Sequence, residues 1–213
     1  MTAQLRLVSA VRPKLLKPAE VRPAVSRHRK ANAEYRTREH LMASEFELLF
    51  DRAKKNRHGH RDSTMLLVTL RHGFRVSELI DLRWDQIDFA TATMHVHRLK
   101  NGTPATHPIQ GDELRALRRL QREQNPKSAF VFTSERGGPF TRFAVNRMIE
   151  RLRTAAEVEI KAHPHMLRHT CGFVLANRGH DTRGIQGYFG HRNIQHTVKY
   201  TELAPDRFKD FWR

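Results

Sequence analysis

The run STMLLVTLRHG, residues 63–73, constrains the fold more than any other segment of the chain. From Met65 to Leu70 its residues are apolar nearly all round a helix, and such a helix must be covered by other elements on every side. Gly73 marks its end, because glycine readily adopts the left-handed conformation that terminates helices. The sequence therefore predicts a central helix that is buried in the core and stops at Gly73.

A small β-sheet is predicted after this helix. The segments QIDF (86–89), TMHVHRLK (93–100) and TPATHPI (103–109) have the composition of short strands. Asn101 and Gly102 separate the last two, and Asn-Gly between strand-like runs is the strongest local signal for a hairpin with a two-residue primed turn. Three short antiparallel strands are expected.

Helices account for most of the remaining chain. Ser44 and Glu47 have capping-box spacing and predict a helix start at SEFELLF. Further helices are expected from about Asp112 to Gln124, from Thr141, over HMLRHTCGFVLANRG, and from Asp181 as an N-cap. In the helix from Thr141, one apolar face consists of Val145, Met148, Ile149, Leu152 and Ala156. The predicted fold class is mainly α with a small antiparallel three-stranded β-sheet at its edge.

The charge balance indicates a polyanionic partner. The chain carries 39 Lys and Arg against 22 Asp and Glu, which leaves a net charge of +17 and a pI near 11.1. Such an excess is typical of nucleic-acid-binding proteins. The longest apolar run, Met65 to Leu70, is far shorter than the roughly 20 residues of a membrane span, and no signal-peptide pattern follows the first basic residues. Neither membrane association nor secretion is expected.

The first 40 residues differ from the rest. Ten Lys and Arg against three Glu give this stretch a net charge of +7, and three prolines interrupt it. Without a sustained apolar period, residues 1–40 are predicted to form a flexible basic arm that contacts DNA phosphates. A merely solvated tail is the alternative. The ordered domain is then expected to comprise residues 41–213, including the C-terminal tail.

Cysteine and histidine usage argues against a disulfide framework or a metal. Cys171 is the only cysteine, and a small buried side chain is its expected role. Three His-x-His pairs occur, but no third and fourth ligand follow at the spacing of a zinc site. We therefore predict no metal and no cofactor. These pairs are His58 and His60, His95 and His97, and His163 and His165.

Five short motifs carry the chemistry. In chain order they are RVSEL with Arg75, RLKNG with Lys100, HMLR with His165 and Arg168, FGH with His191, and TVKYT with Tyr200. With these motifs the chain resembles the tyrosine recombinase (phage integrase) family. It is most similar to the short recombinases that invert fimbrial promoter segments in enteric bacteria. Two departures stand out: Phe189 replaces the usual leucine before Gly190, and no glycine directly follows Lys100.

The residue types suit cleavage of a phosphodiester by a phenol. A phenol has a pKa near 10, so it attacks well at neutral pH only if a base removes its proton. Negative charge gathers on the non-bridging oxygens, and the guanidinium groups of Arg75 and Arg168 can hold them through paired hydrogen bonds. Arginines that supply this charge remove the need for a metal ion.

The resemblance implies the remaining roles. Tyr200 would be the nucleophile and form a 3′-phosphotyrosyl link, Lys100 would protonate the leaving 5′ oxygen, and His165 would act as acid and base. His191 would hydrogen-bond the phosphate, and Glu78 would orient the site. The implied fold is that of the DNA breaking-rejoining enzymes. The implied assembly is a homotetramer on double-stranded DNA with inverted-repeat sites, in the cytoplasm at the nucleoid, with accessory DNA-bending proteins as further partners.

Two other functions fit parts of the same pattern. A transcriptional regulator could retain the fold and the charge without strand transfer, although six intact site positions argue against it. A type IB topoisomerase uses similar chemistry but would relax supercoiled DNA with little sequence preference.

Two surface assignments are also open. Arg142, Arg147 and Arg151 are expected to face a DNA groove from the helix after Thr141, a solvated face being the alternative. The tail RFKDFWR, residues 207–213, docks either on a neighbouring protomer or on its own domain.

Overall fold

The computed structural model of the chain describes residues 38–99, 102–124 and 128–202. These segments are mostly helical and include a three-stranded antiparallel sheet in the order β1-β2-β3, as predicted. The helices are α1 (Ala43–Lys54), α2 (Gly59–His72), α3 (Val76–Ile80), α4 (Gly111–Glu123), α5 (Arg142–Ala155), α6 (Pro164–Asn177), α7 (Thr182–Phe189) and α8 (Gln195–Glu202). The strands are β1 (Ile87–Asp88), β2 (Thr93–Val96) and β3 (Ala105–Pro108).

The predicted central helix is α2. It packs against α1, α4 and α6, and Met65, Leu66 and Val68 are almost completely buried. Its hydroxyl-bearing residues Ser63, Thr64 and Thr69 are buried as well, because their hydroxyl groups bond to carbonyls one turn earlier, as Thr69 does to Met65. The helix ends at Gly73, whose φ of 58° is left-handed, so this prediction is confirmed.

The start of α1 differs from the prediction. The capping residue is Met42, and the Glu45 carboxylate accepts a hydrogen bond of 2.7 Å from the Met42 backbone N–H. Glu45 also accepts a 2.6 Å hydrogen bond from the Arg38 guanidinium. The predicted Ser44–Glu47 capping box is therefore wrong. A carboxylate that bonds back to the N-cap lies three residues after it, and in α1 these two positions are Met42 and Glu45.

The hairpin is confirmed, but its tight turn is wrong. Strands β2 and β3 pair from Thr93 opposite Pro108 to Val96 opposite Ala105, which leaves residues 97–104 between them. A two-residue turn would require strand pairing up to the turn, whereas residues 97–99 and 102–104 are not strand. Contacts with other elements explain the difference: Arg98 lies buried under the hairpin, and Thr103 N–H donates to Gly190 C=O at 3.2 Å.

The predicted N-caps at Thr141 and Asp181 are confirmed. Thr141 Oγ1 accepts a hydrogen bond from Ala144 N–H at 3.1 Å, and Asp181 Oδ1 accepts one from Gly184 N–H at 2.8 Å. The apolar face of α5 is buried at four of its five predicted positions, and Ala156 is half-buried. Cys171 is buried on α6, as expected.

Several predictions fall outside the described residues. These are most of the basic arm, Lys100, Asn101 and the tail from residue 203 onward. Of the helices that the structure describes, none has the length and apolar character needed to cross a membrane. Within the same residues, no three His, Cys, Asp or Glu side chains are grouped so that they could hold a metal ion.

Candidate active site

Glu78 lies at the centre of the candidate site. The chain leaves α2 at Gly73 and enters α3 after Arg75, which places Glu78 three residues beyond the cap. Its carboxylate accepts hydrogen bonds from the Arg75 backbone at 3.0 Å and from the Arg75 guanidinium at 2.6 Å. The Glu78 side chain is completely buried, whereas that of Arg75 is 23% exposed. Glu78 thus fixes Arg75 while leaving part of its guanidinium accessible to a ligand.

Arg168 approaches the same carboxylate from α6. Its Nη1 lies 3.7 Å from Glu78 Oε2 and also donates to Gly73 C=O, and its Nη2 donates to Phe189 C=O at 3.3 Å. Burial, together with the charges of Arg75 and Arg98, lowers the pKa of Arg168 to about 9. Arg168 therefore stays protonated at neutral pH.

Arg98 is a third arginine on this carboxylate, and the sequence analysis missed it. Its Nη1 lies 3.0 Å from Glu78 Oε2, and its side chain has no exposed surface. Three guanidinium groups thus surround one carboxylate. Their net positive charge suits the binding of an anion such as a phosphodiester. An arginine at a strand end next to a hairpin gave no sequence signal, since arginine there is usually solvated.

His191 follows the left-handed Gly190 that ends α7. Burial and the nearby charge of Arg168 lower the pKa of His191 to about 3, so its ring is neutral. Nε2 accepts a 3.0 Å hydrogen bond from Arg168, and Nδ1 lies 2.8 Å from Thr197 Oγ1. Since Nε2 accepts, Nδ1 carries the proton and donates to Thr197. Donation from Nε2 to a phosphate would require the other tautomer, with the Thr197 hydroxyl donating instead.

Tyr200 lies on α8 and is buried against α6 and α7. Its ring packs on Gly172, where a Cβ atom would come within 2.6 Å of the ring. The Tyr200 ring centroid is 5.6 Å from that of Phe189. Burial raises the pKa of Tyr200 to about 12, although the charge of Arg168 opposes that shift. The phenol is therefore protonated at neutral pH and needs a base before it can act as a nucleophile.

His165 is exposed near the start of α6 and is linked to Tyr200 through a second histidine. The His165 ring meets His169 edge to face at 4.5 Å, and the His169 ring lies 5.6 Å from Tyr200. Partial burial and the charges of Arg168 and Arg75 lower the pKa of His165. His165 is thus neutral at physiological pH and able to accept a proton. His169 went unnoticed in the sequence because it lies beside the motif rather than within it.

Phe189 connects three of the predicted site residues. Its ring is fully buried, with the Arg168 guanidinium carbon 4.5 Å from the ring centre and the His191 ring stacked at 5.2 Å. Tyr200 contacts the same ring. The structure therefore brings Arg75, Arg168, His191 and Tyr200 to one place and sets His165 at its edge, while Lys100 lies outside the described residues.

The three arginines predicted to face DNA are all exposed on α5. Arg151 lines a surface cleft of about 370 Å³ together with Arg52, Arg57 and Arg61. Phe143 lies on the same helix and is 71% exposed. An exposed aromatic side chain among arginines suits a surface that meets nucleic acid, and a solvated helix face remains the alternative.

The fold is that of the tyrosine recombinases. The crystal structure of XerA recombinase superimposes with a TM-score of 0.70 at 26% sequence identity, over 81% of this chain and 63% of XerA. The chain thus spans less than two thirds of that protein. The phage integrase family model matches residues 39–207, so the chain belongs to the phage integrase family.

Two proteins illustrate its relationship to other members. The type 1 fimbriae regulatory protein FimB of Escherichia coli strain K12 is 41% identical over 187 residues, which cover 86% of this chain and 94% of FimB. Tyrosine recombinase XerC of Oceanobacillus iheyensis is 30% identical over 159 residues, covering 71% of this chain and 52% of XerC. The similarity to FimB therefore extends over nearly the whole of that protein.

Proposed function

We propose that this chain is a site-specific DNA recombinase that cleaves and rejoins DNA through Tyr200 and inverts a promoter segment. One observation carries the proposal. The buried phenol of Tyr200 lies beside a cluster of arginines that keeps a net positive charge, because only the Glu78 carboxylate balances them. The extensive similarity to a fimbrial regulatory protein supports promoter inversion as the finer assignment.

In the proposed reaction Arg75 and Arg168 hold the non-bridging oxygens of the scissile phosphate. The Tyr200 Oη–P bond forms while the P–O5′ bond breaks, and the phenol proton passes to His165. Lys100 protonates the departing 5′ oxygen. A 5′ hydroxyl of a second strand then reverses these steps, and no ATP is needed because the phosphotyrosyl bond conserves the energy of the phosphodiester.

The proposed function also requires the protein to bind the negatively charged phosphates of DNA. The net charge of +17 favours DNA at low salt, where counterion release contributes most to affinity. We further propose that a homotetramer pairs two inverted-repeat sites, with residues 1–40 as the basic arm that tracks the backbone and residues 41–213 as the catalytic domain. Accessory DNA-bending proteins would assist the pairing of distant sites.

A covalent-trapping experiment tests the function. Duplexes that the protein selects from a random-sequence pool supply the site, and a nick beside the cleavage position lets the 5′-hydroxyl fragment diffuse away. We expect a protein–DNA adduct that survives detergent, with blocked 3′ ends and 5′ ends that a kinase can label. On a plasmid with two inverted copies of the site, the intervening segment should invert.

The alternatives predict different outcomes. A DNA-binding regulator would bind the selected sites tightly and leave no adduct, and that result would refute the enzyme assignment. A topoisomerase would relax supercoiled plasmids that lack the selected site, whereas a recombinase should leave them supercoiled.

Arg147→Ala tests the DNA-facing role of α5. If Arg147 contacts a phosphate, the slope of log K against log salt should become shallower by about 1, with affinity reduced to a similar extent on all sequences. Arg119→Ala on α4 is the matched control, because Arg119 is exposed and pairs with Glu123 across one turn. Equal slopes for the wild type and both variants would assign Arg147 to a solvated face.

A further inference from the structure

The Arg98 side chain, which follows β2, contacts several other elements of the fold. Besides the ion pair with Glu78, its Nη2 donates to His72 C=O at 2.9 Å and to Tyr188 C=O at 2.8 Å. These acceptors belong to the end of α2 and to α7, so a single side chain joins the hairpin to both elements. Glu78 itself belongs to α3, which makes Arg98 the common partner of three helices.

This arrangement is energetically demanding. A buried guanidinium loses its hydration, and that cost is recovered only through good geometry and complete hydrogen bonding. Arg98 Nε has no hydrogen-bond partner among the described residues, and burial lowers the pKa of the group despite the Glu78 charge. An apolar side chain would fill the same space with less penalty, so the position of Arg98 indicates a role beyond packing.

The hairpin connection is fixed by contacts of the described residues on either side of positions 100 and 101. Leu99 N–H donates to Glu78 Oε1 at 3.2 Å, and Thr103 N–H donates to Gly190 C=O at the same distance. Gly102 and Gly190 allow this close approach: a Cβ on Gly190 would lie 2.3 Å from Thr103 O, and one on Gly102 would lie 2.7 Å from Arg98 Cβ. The connection therefore leaves β2 at Glu78 and returns to β3 beside His191.

We propose that Arg98 is a positioning residue for protonation of the leaving group, because it fixes residues 98 and 99, which precede the proposed general acid in the sequence, at Glu78. The contacts of residues 98, 99, 102 and 103 carry this inference, and it rests on the proposed strand-cleavage function. Arg98 touches no reacting atom in this scheme. It aligns the hairpin with Arg75 and Arg168 through the carboxylate that all three share.

A sulfur-substituted substrate separates this role from a general structural one. With sulfur in place of the bridging 5′ oxygen, Tyr200 Oη–P forms, P–S breaks, and the phenol proton still passes to His165. The sulfur departs as a thiolate, which is a far better leaving group than an alkoxide because thiols have a pKa of only about 8.5. A general acid is then unnecessary, and variants that lack only that assistance should recover.

We expect Arg98→Met and Arg98→Lys to slow cleavage of the oxygen substrate by about 100-fold, the penalty typical of a small misplacement of catalytic groups. Lysine keeps the charge but cannot reach several acceptors from one planar group. On the sulfur substrate both variants should come within about 3-fold of the wild type, as Lys100→Ala should. Arg168→Lys should stay impaired on both substrates, and Arg119→Met on the surface of α4 should match the wild type.

The possible failures are distinguishable. Equal loss on both substrates by variants that melt cooperatively would overturn the proposal, as would no loss on either. Failure of both variants to fold would assign Arg98 to stability alone and would overturn it too. If Lys100→Ala is not recovered by sulfur while the wild type cleaves, the general-acid assignment fails, and if the wild type cleaves neither substrate, the proposed function itself fails.

Discussion

Tyr200→Phe is expected to abolish the covalent adduct while leaving DNA binding within about 2-fold of the wild type. Loss of a nucleophile typically reduces the rate by at least about 10⁴-fold, which places the variant below detection in an overnight reaction. Phenylalanine fills the space that the Tyr200 ring occupies against Gly172 and Phe189, so no cavity forms. The measurement is the fraction of labelled nicked DNA that migrates with protein in denaturing gels.

Tyr188→Phe is the matched control. Tyr188 is a half-buried tyrosine on α7, and its hydroxyl donates to Arg71 C=O at 2.9 Å. Its loss removes one hydrogen bond, with a cost of about 1 kcal/mol in stability, and should leave adduct formation intact. If Tyr200→Phe still formed the adduct, Tyr200 would not be the nucleophile. If only Tyr188→Phe failed to form it, Tyr188 would be the nucleophile instead.

The pH dependence of adduct formation provides a second check. Burial raises the pKa of Tyr200 to about 12, so the phenol itself does not ionise between pH 5 and 9. The base His165 has a pKa below its ordinary value because of burial and the charges of Arg168 and Arg75. The rate should therefore rise with pH below about 6.5, as His165 loses its proton, and then stay level. His165→Asn should lower the plateau and remove the acid limb.

The sequence predicted the elements whose signals are local. The apolar run of α2, the caps at Thr141 and Asp181, and the strand-like segments of β2 and β3 are each confirmed, because neighbouring residues determine them. The turn at Asn101-Gly102 was wrong for the opposite reason. A hydrogen bond from Thr103 to Gly190, 87 residues later in the sequence, competes with the local turn preference.

Some residues of the candidate site were predicted from the sequence and others were not. The resemblance of the short motifs to the tyrosine recombinase family predicted Arg75, Arg168, His191 and Tyr200, which the structure brings together around Glu78 and Phe189. Arg98, His169 and Thr197 were missed. His169 lies beside the HMLR motif, Thr197 is important because it bonds His191, and Arg98 gains its importance from partners distant in the sequence. Arg98 contacts Glu78 from 20 residues away and Tyr188 from 90. The roles assigned to the site residues remain predictions until strand transfer is measured.

Glu78→Gln is expected to have the second-largest effect, because this carboxylate compensates three arginines at once. Burial alone would raise the pKa of Glu78, but the hydrogen bond from the Arg75 backbone and the charge of Arg98 lower it overall. Glutamine keeps the shape and removes the charge, which leaves buried guanidinium groups without a counterion. Removing one partner of a buried ion pair costs about 3–5 kcal/mol, or roughly 6–20 °C in Tm for a chain of this size.

The stability at acid pH distinguishes the contribution of the Glu78 charge from the contribution of its packing. A carboxyl group whose pKa is lowered on folding contributes stability above its unfolded pKa, near 4.5, and that contribution is lost as the pH falls through the lower folded pKa. The difference in unfolding free energy between the wild type and Glu78→Gln should therefore be constant from pH 6 to 8 and shrink below about pH 4.5. Glu123→Gln, on the exposed surface of α4, should show neither the loss nor the pH dependence.

Since Arg75 and Arg168 depend on Glu78 for their orientation, Glu78→Gln should also slow adduct formation at a temperature where it remains folded. Full activity in a folded Glu78→Gln variant would mean that the arginines hold their geometry without the carboxylate, and would separate the stability of this centre from its chemistry.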